Sequence, residues 1–265
     1  MELISSLQNP RIKQLLRLQS KARERREQQL VVVEGAREIT IALNNGYQPE
    51  QLLVCEELYA RSDYRGLLSR LPESRCLGLT RPVFEKLAYR EGSDGVLALM
   101  RPKPHSLDDL SLPDNPFLIV LEAVEKPGNL GAILRTADAA RADAVIVCDP
   151  LTDIYNPNVV RSSIGCLFSV PLAVCSSQEA LIWMHNLKIK VYAAELQAAS
   201  WYHEQDFTGP SAVVMGTEAD GLSAFWLENA DTRIKIPMRG LIDSLNVSVS
   251  TAIITFEAMR QRNFE

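Results

Sequence analysis

The chain has 265 residues, of which 46% are hydrophobic and 23% are charged, and its formal net charge at pH 7 is −5. This balance is typical of a soluble globular protein and excludes a mainly disordered, collagen-like or coiled-coil chain. No run approaches about 18 apolar residues, so we expect no transmembrane helix. The first residues lack a basic segment followed by an apolar run, so we expect no secretion signal and a cytoplasmic location.

Helix and strand signals alternate over residues 1–103 and predict a small α/β domain. Asn9-Pro10 predicts the start of a helix, and Asn44-Asn45-Gly46 predicts the end of a later one. Strands are predicted at 30–33, 52–55, 76–79 and 96–99, and further helices at 57–69 and 81–89. Four prolines within 101–116 disfavour helix and sheet, so we predict a linker at 104–116.

Longer elements alternate over residues 117–265, which we predict to form a second domain. Strands are predicted at 117–121, 144–148, 169–174, 189–194, 212–215 and 233–236. Helices are predicted at 129–141, 157–164, 177–187, 222–230 and 246–262. Apolar strands alternating with helices predict an α/β fold with a mostly parallel sheet covered on both faces. Ligands of such sheets bind beyond the carboxyl ends of the strands, so ligand-binding residues are expected in the loops there.

Residues usual in metal, disulfide or nucleotide sites are scattered or missing. The five widely spaced cysteines include no Cys-x-x-Cys pair and predict reduced thiols: Cys55, Cys76, Cys148, Cys166 and Cys175. The three histidines form no H-E-x-x-H motif, so no zinc site is expected. Neither G-x-G-x-x-G nor the Walker pattern occurs, which argues against a nicotinamide oxidoreductase.

The loop at 125–136 follows a strand and opens a helix. Asn129 fits a helix N-cap or a polar contact at the helix start. The apolar stripe predicted to be buried comprises Leu130, Ile133, Leu134 and Ala137. Arg135 lies off this stripe, so it can face a cleft or pair with Asp138 on the surface.

Two further loops combine glycine with polar residues. Gly216 would let the backbone approach a ligand closely, and Glu218 could bind a hydroxyl or amine or act as a helix N-terminal charge. In the third loop, Ser244 or Asn246 fits a helix N-cap. The apolar stripe of the helix that follows is predicted to comprise Val249, Ala252, Ile253 and Phe256.

The three loops together resemble the three motifs of the SpoU (TrmH-like) RNA ribose methyltransferases. They contain G-N-x-G-A-I-x-R-T, G-x-E-x-x-G-L-S and I-P-M-x-G-x-x-x-S-L-N-V-S-V-S-x-A in that order, and the match spans residues 117–262. The first half is similar to the family's N-terminal substrate-binding domain, which is itself similar to ribosomal protein L30e. That second likeness rests on residues 6–13 and 33–38.

The resemblance implies a trefoil knot in the C-terminal domain, bound S-adenosylmethionine and a homodimer whose active site uses both subunits. It implies a cofactor site formed by Leu196, Gly216, Ile236, Met238 and Leu245. It implies catalytic or acceptor-binding roles for Asn129, Arg135, Glu218, Ser244 and Asn246. No metal is expected, because the methyl group on a sulfonium is already activated. Arg141 departs from the family pattern, since glycine is common there, and Glu125-Lys126 occupies a stretch where an acidic residue is frequent before Pro127.

The implied reaction is an in-line displacement of the methyl group by a ribose 2′-hydroxyl. A guanidinium stays protonated above about pH 12, so we expect Arg135 to bind phosphate and to stabilise negative charge on O2′ rather than to act as a base. Which group removes the hydroxyl proton stays open.

RNA binding is expected from the basic N-terminus, since residues 1–31 carry seven basic and three acidic side chains. A solvated helix face would give the same charge pattern. The candidate RNA-binding residues are Arg11, Lys13, Arg37 and Arg161, and for Arg161 a plain surface charge is the alternative. Binding through phosphates should weaken steeply with salt.

The separate N-terminal domain favours 23S ribosomal RNA as the substrate. A tRNA 2′-O-methyltransferase is one alternative. A non-catalytic RNA-binding or assembly factor with a vestigial cofactor pocket is another, and titration with S-adenosylmethionine distinguishes it from an enzyme.

Overall fold

The computed structural model describes residues 1–59, 65–89, 92–217 and 219–264. The chain divides into two compact units. Unit 1 consists of Met1–Lys103 and Asp153–Ser169, and unit 2 of Pro104–Thr152 and Val170–Glu265. Each unit is built around its own sheet and hydrophobic core.

The regular elements are numbered in chain order. The strands are β1 (Glu2–Ile4), β2 (Val31–Glu34), β3 (Pro49–Val54), β4 (Cys76–Leu79), β5 (Val96–Met100), β6 (Phe117–Glu122), β7 (Ala144–Cys148), β8 (Leu172–Cys175), β9 (Lys190–Ala194), β10 (Ser200–Trp201), β11 (Ser211–Met215) and β12 (Thr232–Lys235). The helices are α1 (Pro10–Ser20), α2 (Ala22–Gln28), α3 (Ala36–Asn44), α4 (Glu56–Tyr59), α5 (Arg81–Leu87), α6 (Pro127–Ala140), α7 (Pro157–Ser162), α8 (Cys166–Ser169), α9 (Ser177–Asn186), α10 (Ala224–Asn229) and α11 (Val247–Gln261). Among the described residues no helix is both long and apolar enough to cross a lipid bilayer.

Unit 1 contains a five-stranded mixed sheet in the order β1-β4-β3-β5-β2. The predicted start of α1 is confirmed, because the side chain of Asn9 accepts a hydrogen bond from the backbone N–H of Arg11 at 2.9 Å. The helix predicted at 57–69 is wrong as one element. Only Glu56–Tyr59 is α-helical, Arg65–Arg70 forms a 3-10 helix, and 60–64 lie outside the described residues.

The segment 153–169 lies between elements of unit 2 in sequence but packs within unit 1. The Arg25 guanidinium, only 5% exposed, contacts the carboxylate of Asp153 at 2.7 Å and the carbonyl of Leu18 at 2.5 Å. The Tyr155 hydroxyl donates to that of Tyr47 at 3.3 Å. A buried charge needs both an opposite charge and hydrogen bonds, and Arg25 has both. The strand predicted at 169–174 begins too early, because Ser169 is the last residue of α8 and β8 begins at Leu172.

Unit 2 contains a seven-stranded sheet in the order β10-β12-β9-β11-β6-β7-β8. Its paired strands all run parallel, which confirms the predicted parallel sheet. The central strands are buried along their length, as expected when helices cover both faces of a sheet. β10 has only two residues and carries too little hydrophobic pattern to be predicted.

The proline-rich segment 104–116 packs against unit 2. Its backbone reaches the edge strand β8, where the N–H of Val174 donates to the carbonyl of His105 at 2.8 Å. Leu107, Leu110 and Leu112 pack against the core of the unit. The segment therefore covers a sheet edge that would otherwise expose unpaired backbone groups.

The C-terminal end of α11 is anchored by Arg262. Its guanidinium donates to backbone carbonyl groups from two separate loops, those of Asn115 (2.8 Å), Pro116 (3.2 Å), Phe207 (2.8 Å) and Gly209 (2.6 Å). Burial lowers the pKa of this guanidinium. The Arg262 side chain thus holds the C-terminal end of α11 against the loops that precede β6 and β11.

Replacement of Arg262 by methionine is expected to lower the free energy of unfolding of unit 2 by about 2–4 kcal/mol, because four carbonyl groups, two of them partly buried, lose one shared charged donor. Urea unfolding followed by tryptophan fluorescence measures this, since all three tryptophans (Trp183, Trp201 and Trp226) belong to unit 2. Arg141→Met, at an exposed arginine, should change stability by less than about 0.5 kcal/mol. Equal midpoints for the two variants would contradict the anchoring role.

Candidate functional site

The loops that carry the polar motif residues meet at one edge of the unit 2 sheet. They follow β6, β9, β11 and β12, which are consecutive in the order β12-β9-β11-β6. The carboxyl ends of parallel neighbours lie at the same edge, so the loops converge there although they are far apart in sequence.

A large cavity of about 450 Å³ lies among these loops. The loop after β9 contributes Glu195, Leu196 and Gln197, and the strand end at Met215 contributes another wall. The remaining wall is formed mainly by Gly216, Thr217, Leu222, Ile234, Ile236, Met238, Ser244, Leu245 and Val247. The volume lies within the range of about 300–1,000 Å³ usual for small-molecule and cofactor sites.

The five residues predicted to bind the cofactor all line this large cavity: Leu196, Gly216, Ile236, Met238 and Leu245. Apolar side chains form its walls and several polar groups lie among them, which suits a molecule with a flat purine ring at one end and charged groups at the other. The residues therefore fit S-adenosylmethionine, and direct contact of each with it stays a prediction.

Gly216 is required for a reason that the sequence did not indicate. The backbone N–H of Thr217 donates to the carbonyl of Gly221 at 2.9 Å, and the N–H of Gly221 donates back to Thr217 at 3.2 Å. A Cβ at position 216 would overlap the backbone of Gly221 and Leu222. The backbone that comes close to Gly216 is therefore that of Gly221 and Leu222 in the same loop. The sequence had indicated a ligand in this place.

A small cavity of about 130 Å³ adjoins the large one, and both include Gly216, Thr217 and Val247 in their walls. Asn129 and Glu122 also line the small cavity. Two cavities that share walls can place two different molecules side by side.

Glu122 was missed by sequence reasoning. It ends β6 and is 8% exposed, and its carboxylate accepts hydrogen bonds from the backbone N–H (2.8 Å) and hydroxyl (2.5 Å) of Ser223. These bonds hold the end of the loop that begins at Gly216. The sequence feature that could have indicated Glu122 is an acidic residue at the end of an otherwise apolar strand.

Asn129 and Asn246 lie next to each other. The side-chain amide of Asn246 donates to the side-chain oxygen of Asn129 at 3.2 Å, and Asn246 also caps α11 by accepting from the backbone N–H of Ser248 at 2.9 Å. The predicted N-cap at Asn246 is therefore confirmed. Ser244, the alternative cap, lines the large cavity and donates to the carboxylate of Asp243 at 3.2 Å.

Arg135 lies on α6 with an exposed side chain, and it lines neither cavity. Among the residues that the structure describes, no ion pair joins Arg135 to Asp138, the surface partner that the sequence left as an alternative. At the end of the same helix, Arg141 has φ of +52°. This is the left-handed region that glycine favours, which accounts for the glycine common at this position in the family.

The remaining predicted residues fall elsewhere. Glu218 lies outside the described residues. The four candidate RNA-binding residues, Arg11, Lys13, Arg37 and Arg161, all belong to unit 1 and have exposed side chains. Arg161 lies 5.7 Å from the ring centre of Tyr89, and Arg11 pairs with Glu2 at 2.8 Å. Arg161 thus belongs to the same unit as the N-terminal candidates, although it comes from the second half of the sequence.

No metal-binding group of three or more His, Cys, Asp or Glu side chains occurs among the described residues.

The fold and the two cavities define the class of protein: an α/β protein with a nucleoside-sized site at the carboxyl edge of a parallel sheet. Residues 116–256 match the SpoU rRNA methylase family, and residues 9–98 match the MRM3-like substrate-binding domain. The chain therefore belongs to the SpoU rRNA methylase family.

Individual relatives agree with this assignment. The 23S rRNA (guanosine-2′-O-)-methyltransferase RlmB of Pasteurella multocida is 36% identical over 242 residues, which cover 86% of this chain and 97% of the relative. A crystal structure of an RNA 2′-O ribose methyltransferase is 39% identical with a TM-score of 0.86, and the match covers 98% of this chain and 99% of that one. The SpoU methyltransferase AviRb from Streptomyces viridochromogenes, solved with the cofactor S-adenosylmethionine, is 28% identical with a TM-score of 0.88, covering 97% of this chain and 100% of that one.

Proposed function

We propose that this protein transfers a methyl group from S-adenosylmethionine to a ribose 2′-hydroxyl in 23S ribosomal RNA. Its membership of the SpoU family makes it an RNA ribose methyltransferase. The observation that carries the proposal is the convergence of the three motif loops on one cavity of cofactor size. Ribosomal RNA is favoured over tRNA because a relative matched over 97% of its own length is a 23S rRNA methyltransferase. A cytoplasmic site of action follows from that substrate.

The large cavity is proposed to hold the cofactor and the small cavity to receive the acceptor nucleotide. The bound cofactor supplies an activated methyl group. Gly216 and Thr217 line both cavities, so the acceptor would lie next to the cofactor. Asn129 and Asn246, which are already hydrogen-bonded to each other, would orient the ribose.

Arg135 is proposed to bind a substrate phosphate and to stabilise negative charge that develops on O2′. Its freedom from ion pairs with the described residues supports this role, since a paired guanidinium would have to give up its partner first. Unit 1 is proposed to hold the RNA through its exposed basic side chains, of which Lys13 and Arg37 have no acidic partner among the described residues.

The test is methylation of defined RNAs by the purified protein. We expect tritiated methyl groups to enter 23S rRNA, and ribose-methylation mapping of RNA from cells with and without the gene to differ at a site in 23S rRNA. Transfer to tRNA alone would support the tRNA alternative. Binding of RNA without binding of S-adenosylmethionine would support a non-catalytic assembly factor.

A homodimer is proposed through the outer face of α11. The sequence predicts an apolar stripe of Val249, Ala252, Ile253 and Phe256 on this helix, and the structure buries a different face, formed by Thr251, Ile254, Thr255, Ala258 and Met259. Val249 is 47% exposed and Phe256 is 41% exposed. A large apolar stripe on an exposed helix is typical of a protein interface, and a twofold axis would pair it with itself.

Arg135 supports the same proposal. α6 packs against α11, yet Arg135 reaches neither cavity of its own chain. In a dimer, Arg135 would complete the site of the partner subunit. The trefoil knot expected for the family is proposed to lie in the loops that form the large cavity.

Replacement of Phe256 by aspartate is expected to give a monomer, because a buried unpaired charge at an interface costs several kcal/mol. Light scattering after size exclusion should give the 29.5 kDa of one chain for the variant and twice that for the wild type. Methyl transfer should fall to background in parallel. Ile182→Asp, at a residue of α9 that is 52% exposed, is the matched control and should stay dimeric and active. A monomeric wild type would contradict the proposal.

A further inference from the structure

Glu195 is a charged residue of the large cavity that the motifs do not include. It directly follows β9, and its backbone N–H donates to the carbonyl of Ile234 on β12 at 2.9 Å. Glu195 is one of the residues that line the cavity, and its side chain is 13% exposed. The sheet thus holds the backbone of a charged residue at the wall of the large cavity.

One oxygen of this carboxylate lacks a donor. Oε1 of Glu195 is fully buried and has no hydrogen-bond partner among the described residues. Nη1 of Arg233 lies 3.5 Å away, close enough for an ion pair but without hydrogen-bond geometry. The negative charge therefore has a partner, while the acceptor atom does not. A buried acceptor without a donor is unfavourable, and a ligand that supplies one is bound more tightly.

We propose that Glu195 binds the ribose of the cofactor, accepting hydrogen bonds from its 2′- and 3′-hydroxyl groups. This inference rests on the proposed function, because it takes the large cavity to be the S-adenosylmethionine site. Neighbouring hydroxyl groups are two neutral donors that match the two oxygens of a carboxylate. Neutral donors suit this site better than an ammonium group, because Arg233 already supplies the positive charge. Acidic side chains bind ribose hydroxyls at the strand ends of other nucleotide-binding α/β folds.

The test is calorimetric titration of S-adenosylhomocysteine into the full-length wild type, Glu195→Gln and Glu228→Gln. Glutamine has the same shape but replaces one acceptor oxygen with an amide. Glu228 lies exposed on α10 and is absent from the cavity wall, so its variant repeats the charge change alone. We expect about 10- to 100-fold weaker binding for Glu195→Gln and wild-type binding for Glu228→Gln. Glu195→Asp, which keeps the charge but withdraws the carboxylate, should weaken binding as well. Wild-type affinity in Glu195→Gln would overturn the inference.

A second ligand locates the contact. 5′-Methylthioadenosine keeps the ribose but lacks the amino-acid end, so Glu195→Gln should weaken its binding by the same factor. Loss of affinity for S-adenosylhomocysteine alone would place Glu195 at the amino-acid end and overturn the ribose contact. A wild type that binds neither ligand would overturn the proposed function, and this inference with it.

Discussion

Replacement of Arg135 by lysine is expected to lower the rate of methyl transfer by about 100- to 1,000-fold, the usual effect of removing one group that stabilises transition-state charge. Lysine keeps the positive charge but cannot reproduce the planar fork with which a guanidinium binds a phosphate and an adjacent oxygen. The affinity for S-adenosylmethionine should stay unchanged, because Arg135 does not line the large cavity. The measurements are single-turnover transfer to 23S rRNA and calorimetric cofactor binding.

Arg141→Lys is the matched control for Arg135→Lys. Arg141 is an exposed arginine just past the end of the same helix, and lysine tolerates its φ of +52° as well as arginine does. We expect this variant to keep wild-type turnover and RNA affinity. Wild-type turnover in Arg135→Lys would refute the charge-stabilising role, while equal losses in both variants would indicate a general requirement for arginine side chains in RNA binding.

Replacement of Gly216 by alanine is expected to weaken S-adenosylhomocysteine binding by about 10- to 100-fold. The added methyl group would overlap the backbone of Gly221 and Leu222, so the paired loop between Thr217 and Gly221 must open or shift. Overpacking of this kind costs about 1–3 kcal/mol, which corresponds to that range of affinity. Because the same loop forms a wall of both cavities, methyl transfer should fall at least as much as binding.

Gly209→Ala is the control for Gly216→Ala. Gly209 lies just before β11, and a Cβ there would meet no atom within 4 Å. This variant should bind S-adenosylhomocysteine like the wild type and unfold at the same temperature. If Gly216→Ala retained full affinity, the requirement for glycine in this wall of the cofactor site would be refuted.

The position of the site was predictable because the carboxyl ends of parallel strands lie at the same edge of a sheet. Once Phe117–Glu122, Ser211–Met215 and Thr232–Lys235 are recognised as strands, the loops after them must share one edge. The motif positions Leu196, Ile236 and Leu245 line the cavity there. Which strands are neighbours was not predictable, because apolar strands of one parallel sheet look alike in sequence.

Two features of the structure could not be predicted from the sequence, for the same physical reason. The pattern Val249-Ala252-Ile253-Phe256 is as apolar as a core-facing stripe, and sequence periodicity cannot distinguish a face packed on a sheet from a face left for another molecule. The threonines Thr251 and Thr255, which are 1% exposed, are buried on the opposite side. Likewise, nothing in residues 153–169 distinguishes a segment of unit 1 from a segment of unit 2, because Arg25, which pairs with Asp153, and Tyr47, which pairs with Tyr155, each lie more than 100 positions away from their partner.

Sequence alone determined the parallel sheet, the helix cap at Asn9 and the family, because these depend on local patterns and on motif order. Only the tertiary structure decided that Asn246 contacts Asn129, that Glu122 holds the loop at Ser223, and that one oxygen of Glu195 is buried without a donor. Each of these depends on side chains brought together by the order of strands in the sheet. That order is set by the packing of the whole unit, and no local stretch of sequence contains it.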